Sequence, residues 1–127
     1  MNNLLWQLPI PSSSLGEGVV FQELSGRECT LSFKVNRLQE WQITFKDVEA
    51  YRCHYYQACT VEMIDASYDR LIDAGKTKWL VTVRDQLSKY NEGMANLRHM
   101  MIYFDDGPCY EFICQGFSVQ QIYLSND

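Results

Sequence analysis

Residues 97–117, LRHMMIYFDDGPCYEFICQGF, contain two apolar and aromatic runs separated by Asp105, Asp106, Gly107 and Pro108. Each run has the length of a strand, and a break that contains Gly and Pro is typical of the turn between two strands. This stretch therefore predicts an antiparallel hairpin near the end of the chain.

The turn constrains the register of this hairpin. In a two-residue Asp106-Gly107 turn the next residue must donate its backbone N–H, and Pro108 has none. We therefore expect a four-residue loop, 105–108, with Phe104 opposite Cys109. The same register places Tyr103 opposite Tyr110, Met101 opposite Phe112, His99 opposite Cys114, and Leu97 opposite Gly116. A slip of one residue would pair opposite faces, so the assignment depends on the loop length.

This register groups apolar and aromatic side chains on one face of the hairpin. Met101, Tyr103, Tyr110 and Phe112 share that face, and His99 points the same way. If the sheet curls, these side chains would line a cavity for a small apolar ligand.

Period-two alternation predicts two further strands earlier in the chain. Cys29, Leu31, Phe33 and Val35 face one side, and after a polar break at 36–37 the residues Trp41, Ile43 and Phe45 do the same. The two runs are typical of an antiparallel hairpin with one face on the core and the other exposed to solvent. Other expected strands or extended segments are 19–24, 48–56, 60–64, 70–73 and one that contains Val119, Ile122 and Leu124.

One helix is predicted over residues 77–90. Thr77 can cap it, and Trp79, Leu80, Val83 and Leu87 form an apolar stripe on one side. The sequence Asn91 to Gly93 is a stop signal. The expected fold is a single α+β domain: a curled antiparallel sheet of about six or seven strands, barrel-like or a sandwich, with this one main helix. Residues 1–18 are expected to be a partly docked arm that places Trp6 on the core.

Charge and composition exclude several classes of protein. The net charge is −5, and the basic residues are scattered, which argues against binding to nucleic acid. The amino terminus lacks the basic region of a signal peptide, and the longest wholly apolar run is far shorter than a membrane span. We therefore expect a cytoplasmic protein without membrane contact. The apolar closing hairpin, if it forms an edge of the sheet, could pair with that of a second copy across a two-fold axis, which is consistent with a homodimer.

Five cysteines and two histidines raise the question of a metal or thiol site. The spacings of Cys53 to Cys59 and Cys109 to Cys114 are looser than those of zinc sites, and Cys114 lies within an apolar strand rather than in the electropositive setting that activates a thiol. The carboxylates Asp65, Asp69 and Asp73 would share a face only on a helix. We predict no catalytic residue, metal or cofactor. An enzyme that depends on a metal or a thiol remains the least favoured class.

Residues 51–56, YRCHYY, are the best candidate for a recognition surface. Alternation places Arg52, His54 and Tyr56 on one side of an extended segment. Tyr and Arg are the residue types that dominate hot spots in protein interfaces. The competing interpretation is a wide aromatic core whose tyrosines reach water.

The second half of the chain resembles small single-domain bacterial proteins of uncharacterised function. The resemblance rests on Lys78-Trp79-Leu80 at the start of a helix and on LRHMMIYFDDGPCYEF after it, and it covers roughly the last 50 residues. It implies a protein with a structural role rather than a catalytic one. The sequence thus favours a non-enzymatic binding module that neutralises a partner protein, as bacterial immunity proteins do. Binding of a small apolar ligand is the alternative.

Overall fold

The computed structural model describes residues 2–90, 96–105 and 108–124. Within these residues the chain forms nine strands and two α-helices. The elements are β1 (Asn3–Gln7), β2 (Val20–Leu24), β3 (Glu28–Asn36), β4 (Gln39–Lys46), β5 (Ala50–His54), α1 (Val61–Ser67), β6 (Arg70–Asp73), α2 (Lys78–Ser88), β7 (Arg98–Tyr103), β8 (Cys109–Cys114) and β9 (Gly116–Tyr123). The α+β class is confirmed, but the predicted strand number was too low.

The strands form two separate sheets. The first has five strands in the order β1-β6-β7-β8-β5, and the second has four in the order β2-β3-β4-β9. Neighbouring strands in both sheets pair antiparallel. Of the two expected shapes, barrel-like or a sandwich, the described strands do not close into a barrel; they form two sheets packed face to face.

The main core lies between the two sheets. The alternation predicted for β3 and β4 is correct, because Leu31, Phe33, Ile43 and Phe45 are all buried there. From the first sheet, Phe112 stacks on Phe45 with 3.9 Å between the ring centroids. Stacked aromatic rings stabilise a core beyond the apolar area that they bury.

The helices cover the opposite face of the first sheet. Side chains of α1, including Met63 and Ile64, pack against Met101 and Tyr103, whereas Leu80 of α2 packs against Ile113. All six residues of β8 are therefore buried, so this central strand of the sheet has no solvent-exposed face. Neither described helix is long and apolar enough to cross a membrane.

The register of the closing hairpin differs from the prediction by one residue. Tyr103 lies opposite Cys109, and Met101 lies opposite Glu111. The N–H of Phe104 donates to the carbonyl of Pro108 at 3.2 Å, so Pro108 joins the ladder as an acceptor although it cannot donate. The expected pairings of Phe104 with Cys109 and of His99 with Cys114 are therefore wrong. Asp106 and Gly107 lie outside the described residues.

Other local predictions had mixed outcomes. The strand at Arg70–Asp73 and the capping of the second helix by Thr77 are confirmed, and Trp6 does dock on the core. Residues 60–64, expected to be a strand, instead contain the cap and first turns of α1. Residues 3–7 form β1, a full strand of the first sheet rather than an arm. The stop signal at 91–93 lies outside the described residues.

Candidate functional site

Glu111 is the centre of a buried polar cluster. It lies in the middle of β8, on the face covered by the helices, and it is only 1% exposed. Arg52 lies directly opposite on β5 and binds both carboxylate oxygens, with Nε 2.8 Å from Oε2 and Nη2 3.2 Å from Oε1. This bidentate geometry is the strongest form of an ion pair between side chains.

Two histidines approach the same carboxylate from neighbouring strands. His99 on β7 places Nε2 at 2.7 Å from Oε1, and His54 on β5 places Nε2 at 2.8 Å from Oε2. The two contacts differ in quality. His99 makes a hydrogen bond, whereas Nε2 of His54 is buried without a well-aligned hydrogen-bond partner among the described residues, despite the short distance.

His99 is held on its other side by the cap of α2. The hydroxyl of Thr77 lies 2.7 Å from Nδ1 of His99, and the same oxygen accepts the backbone N–H of Leu80 at 3.3 Å. In the neutral imidazole, Nε2 donates to the Glu111 carboxylate and Nδ1 accepts the proton of the Thr77 hydroxyl. A continuous hydrogen-bonded chain thus joins the start of α2 to the centre of the first sheet.

Arg52 is also stacked on an aromatic ring from α2. Its guanidinium carbon lies 4.0 Å from the centroid of the Trp79 ring. The Trp79 ring in turn packs edge to face with the His99 ring, with 5.1 Å between the ring centroids. The Arg52 side chain nevertheless stays 42% exposed. Arg52 is therefore fixed by Glu111 and Trp79 while part of its guanidinium faces solvent.

The network determines the charge of Glu111. Burial alone would raise the pKa of Glu111, but the hydrogen bonds from His99 and Arg52 and the positive charge of Arg52 outweigh burial and lower that pKa to about 2. At neutral pH Glu111 is thus a carboxylate that accepts hydrogen bonds, and it has no proton to donate to a substrate.

The predicted recognition residues are only partly brought together. Arg52 and His54 share a face of β5, as alternation requires, and both contact Glu111. Strand β5 ends at His54, and Tyr56 begins a short 3-10 turn over Tyr56–Ala58. Tyr56 therefore does not continue the face that Arg52 and His54 share. Its side chain is exposed, as is that of Tyr55.

The residues of the alternative pocket lie on two opposite faces of the first sheet. His99, Met101 and Tyr103 face the helices, whereas Tyr110 and Phe112 face the second sheet. The one-residue shift in register is the cause, because side chains alternate along a strand.

Tyr110 does line a surface cleft of about 340 Å³ at one end of the two sheets. The cleft is also bordered by Tyr55, Phe104, Asp105 and Pro108. Its size lies at the lower end of the range for small-molecule sites.

The thiols lack the properties of nucleophiles. Burial raises the pKa of Cys29 to about 11 and that of Cys114 to about 12, and it also raises the pKa values of Cys53, Cys59 and Cys109. A reactive thiol needs the opposite shift. Among the described residues, no group of three His, Cys, Asp or Glu side chains is placed to share a metal ion.

The predicted carboxylates take structural positions. Asp65 lies on α1, Asp69 follows that helix and Asp73 ends β6, so the three do not share a helix. Asp69 accepts hydrogen bonds from the backbone and the hydroxyl of Ser12, and Asp105 accepts one from the hydroxyl of Tyr68.

Glu111 and Trp79 were not singled out from the sequence as site residues. The available signal was an acidic residue inside an otherwise apolar strand, CYEFIC, since a buried carboxylate requires partners. Identifying those partners required the pairing of β5 with β8, strands that are far apart in the chain.

Comparisons with known proteins do not assign a family. No family model matches the chain, and neither the curated proteins nor the solved structures that were searched give a significant match.

Proposed function

We propose that the protein is a non-enzymatic binding module, and that it neutralises a partner protein in the manner of a bacterial immunity protein. The contact surface is β5 with the turn that follows it. The observation that carries this is Arg52, which is bound in two places by buried Glu111 and stacked on Trp79, yet remains 42% exposed.

A fixed arginine favours binding for an energetic reason. A free arginine side chain loses roughly 2 kcal/mol of rotamer entropy when an interface immobilises it. Here Glu111 and Trp79 hold the side chain before any partner arrives. The carboxylate uses two of the five N–H groups of Arg52, so the guanidinium retains donors for an acceptor on the partner.

Aromatic side chains around Arg52 supply the apolar part of the contact. Of the eleven exposed large apolar side chains of the described residues, Tyr55, Tyr56 and Val61 follow Arg52 closely in the chain, whereas Tyr51 packs against Phe21 and Phe112 on the other face of β5. Tyr55 and Tyr56 are 71% and 54% exposed. Tyrosines next to an arginine are the composition of interface hot spots.

The charge of the protein indicates the chemistry of the partner. A chain with a net charge of −5 attracts a basic protein over long range, and electrostatic attraction of this kind speeds association. We therefore expect a basic partner that presents a carbonyl or carboxylate group to Arg52 and an apolar patch to the two tyrosines.

Affinity capture from the native cell extract tests this function. The wild-type protein should retain one partner in a 1:1 ratio, and a Tyr55→Ala/Tyr56→Ala double variant should bind that partner at least about 30-fold more weakly, from about 1 kcal/mol or more per truncated hot-spot tyrosine. Tyr90→Ala is the matched control, because Tyr90 is 76% exposed and lies at the end of α2. It should bind like the wild type.

The neutralising activity has its own readout. The captured partner, expressed alone, should arrest growth, and co-expression of the wild-type protein should restore it. Failure to recover any stoichiometric partner, or equal capture by all three proteins, would exclude a contact through Tyr55 and Tyr56.

A small apolar ligand is the second candidate. Phe104, Tyr110 and Leu15 of the cleft could contact it, although polar residues such as Ser12, Glu17 and Asp105 also line the cleft. Native mass spectrometry distinguishes the two functions. A small mass that co-purifies with the protein supports the ligand, and its loss on Tyr110→Ala would assign it to this cleft.

A further inference from the structure

Strand β9 forms one edge of the second sheet. It pairs with β4 on one side over all eight of its residues, and in the described part of the chain no strand pairs with its other side. Its sequence, GFSVQQIY, has no charged residue, although 21% of the chain is charged.

The direction of its free hydrogen-bonding groups follows from the ladder. The N–H of Leu124 donates to the carbonyl of Leu38 at 2.7 Å, in line with the register that pairs Tyr123 with Gln39. Because hydrogen-bonded and non-hydrogen-bonded pairs alternate in an antiparallel ladder, every second residue before Leu124 bonds to β4 in the same way. The residues between them, Phe117, Val119, Gln121 and Tyr123, direct their backbone N–H and C=O groups to the free edge.

The other three edges carry protection that β9 lacks. Strand β1 has five residues and a register shift between Leu4 and Trp6, β2 has five residues and contains Glu23, and β5 has five residues and contains Arg52. Short length, bulges and charges are the devices by which proteins prevent pairing at sheet edges. In the described residues β9 is longer than these edges and has no such device.

We propose that β9 pairs antiparallel with β9 of a second copy of this chain, across a two-fold axis at Gln120. In this register Phe117 lies opposite Tyr123 of the second copy, and Val119 lies opposite Gln121. All four residues that face the free edge then form hydrogen-bonded pairs, and the two four-stranded sheets become one continuous sheet.

Charge selects a second copy over a different partner. Two copies with a net charge of −5 repel each other, and β9 adds no charged side chain to that repulsion. For the same reason β9 offers a basic partner no charge attraction. The contact proposed around Arg52 is on the first sheet, so the dimer and the partner can be tested separately.

Analytical ultracentrifugation over a wide concentration range tests the dimer. The wild-type protein should sediment with twice the chain mass of 14.9 kDa. Gln120→Lys places two like charges opposite each other at the axis and should weaken the dimer by up to about fivefold. Gln22→Lys is the matched control, because Gln22 is an exposed residue in the middle of β2, the other edge of the same sheet. It should dimerise like the wild type.

A second variant removes a backbone donor rather than adding a charge. Gln121→Pro removes an N–H that faces the free edge, so it should abolish the dimer while it leaves the pairing of β9 with β4 intact. Circular dichroism checks that each variant is folded. A wild-type protein that stays monomeric at all concentrations would overturn the dimer, and a folded Gln121→Pro variant that still dimerises would exclude β9 as the interface.

Discussion

At the scale of single residues, Glu111 links the fold to the proposed function. A carboxylate that is 1% exposed is stable only when its charge is compensated, and Arg52 and His99 supply the hydrogen bonds. The same contacts fix Arg52 for a partner. A change at Glu111 should therefore affect stability and the orientation of Arg52 together.

The pH dependence of stability tests the role of Glu111. Its pKa is lowered from 4.5 to about 2 in the folded state, so its contribution is complete above pH 4.5 and is lost as the pH falls through about 2. The shift corresponds to about 3 kcal/mol of stability at neutral pH. Glu111→Gln should lower the free energy of unfolding by about that amount at pH 7, and the difference from wild type should shrink between pH 4.5 and 2.

Urea unfolding at a series of pH values measures this difference. Glu62→Gln is the control, since Glu62 is exposed in the first turn of α1 and should change stability by less than about 0.5 kcal/mol at any pH. A Glu111→Gln variant whose deficit is the same at pH 3 and pH 7 would show that the charge of Glu111 does not contribute.

The site was only partly predictable, for a reason visible in its residues. Period-two alternation correctly placed Arg52 and His54 on one side, because both lie within β5. It failed for Tyr56, since the strand ends two residues earlier. The pocket residues were grouped wrongly because a one-residue error in the hairpin loop exchanges the two faces of a strand, so that His99 lies on the face of Glu111 rather than on that of Phe112.

At the scale of elements, the two helices begin in the same way but were not equally visible in the sequence. Thr77 caps α2, and an apolar stripe made that helix predictable. Thr60 caps α1 by accepting the N–H of Met63 at 3.1 Å. That helix has only seven residues and its start, TVEMI, has the composition of a strand. Packing of Met63 and Ile64 against the first sheet, which is a tertiary effect, decides in favour of the helix.

The two caps should differ in their contribution to stability. Thr60→Ala loses one capping hydrogen bond and should cost about 1 kcal/mol. Thr77→Ala also leaves Nδ1 of His99 without the Thr77 hydroxyl, and His99 is only 2% exposed, so it should cost about 2 to 3 kcal/mol.

Chemical unfolding of both variants gives the comparison. Thr77→Ser keeps the hydroxyl and should recover most of the loss, which separates the hydrogen bonds from the methyl group. Equal losses for Thr60→Ala and Thr77→Ala would contradict the connection between the cap and His99.

At the scale of the whole molecule, the division into two sheets could not be derived from local patterns. The hairpin of β3 and β4 was evident from alternation, but β9 joins that sheet from the far end of the chain, and β1 joins the other sheet from its beginning. Pairings between distant segments depend on shape and packing rather than on the residues next to them in sequence. The strand at residues 3–7 was missed for this reason, since its partner β6 lies far along the chain.

Trp6 tests how β1 connects the two sheets. It belongs to the first sheet, yet its ring lies 5.7 Å from that of Trp41 and 6.4 Å from that of Phe33, both in the second sheet. Because the ring is only partly buried, Trp6→Ala should lower the free energy of unfolding by about 2 kcal/mol, less than for a fully buried tryptophan. Leu4→Ala, at a side chain 59% exposed in the same strand, should cost less than about 0.5 kcal/mol.

Amide hydrogen exchange shows whether this loss is local or shared. If Trp6 ties the sheets together, its removal should speed exchange in β3 and β4 as well as in β6, because all of these strands then open in one cooperative unit. Leu4→Ala should leave exchange in β3 and β4 unchanged. Faster exchange confined to β1 and β6 after Trp6→Ala would mean that β1 stabilises only its own sheet, and that the packing between β8 and β4 holds the two sheets together without it.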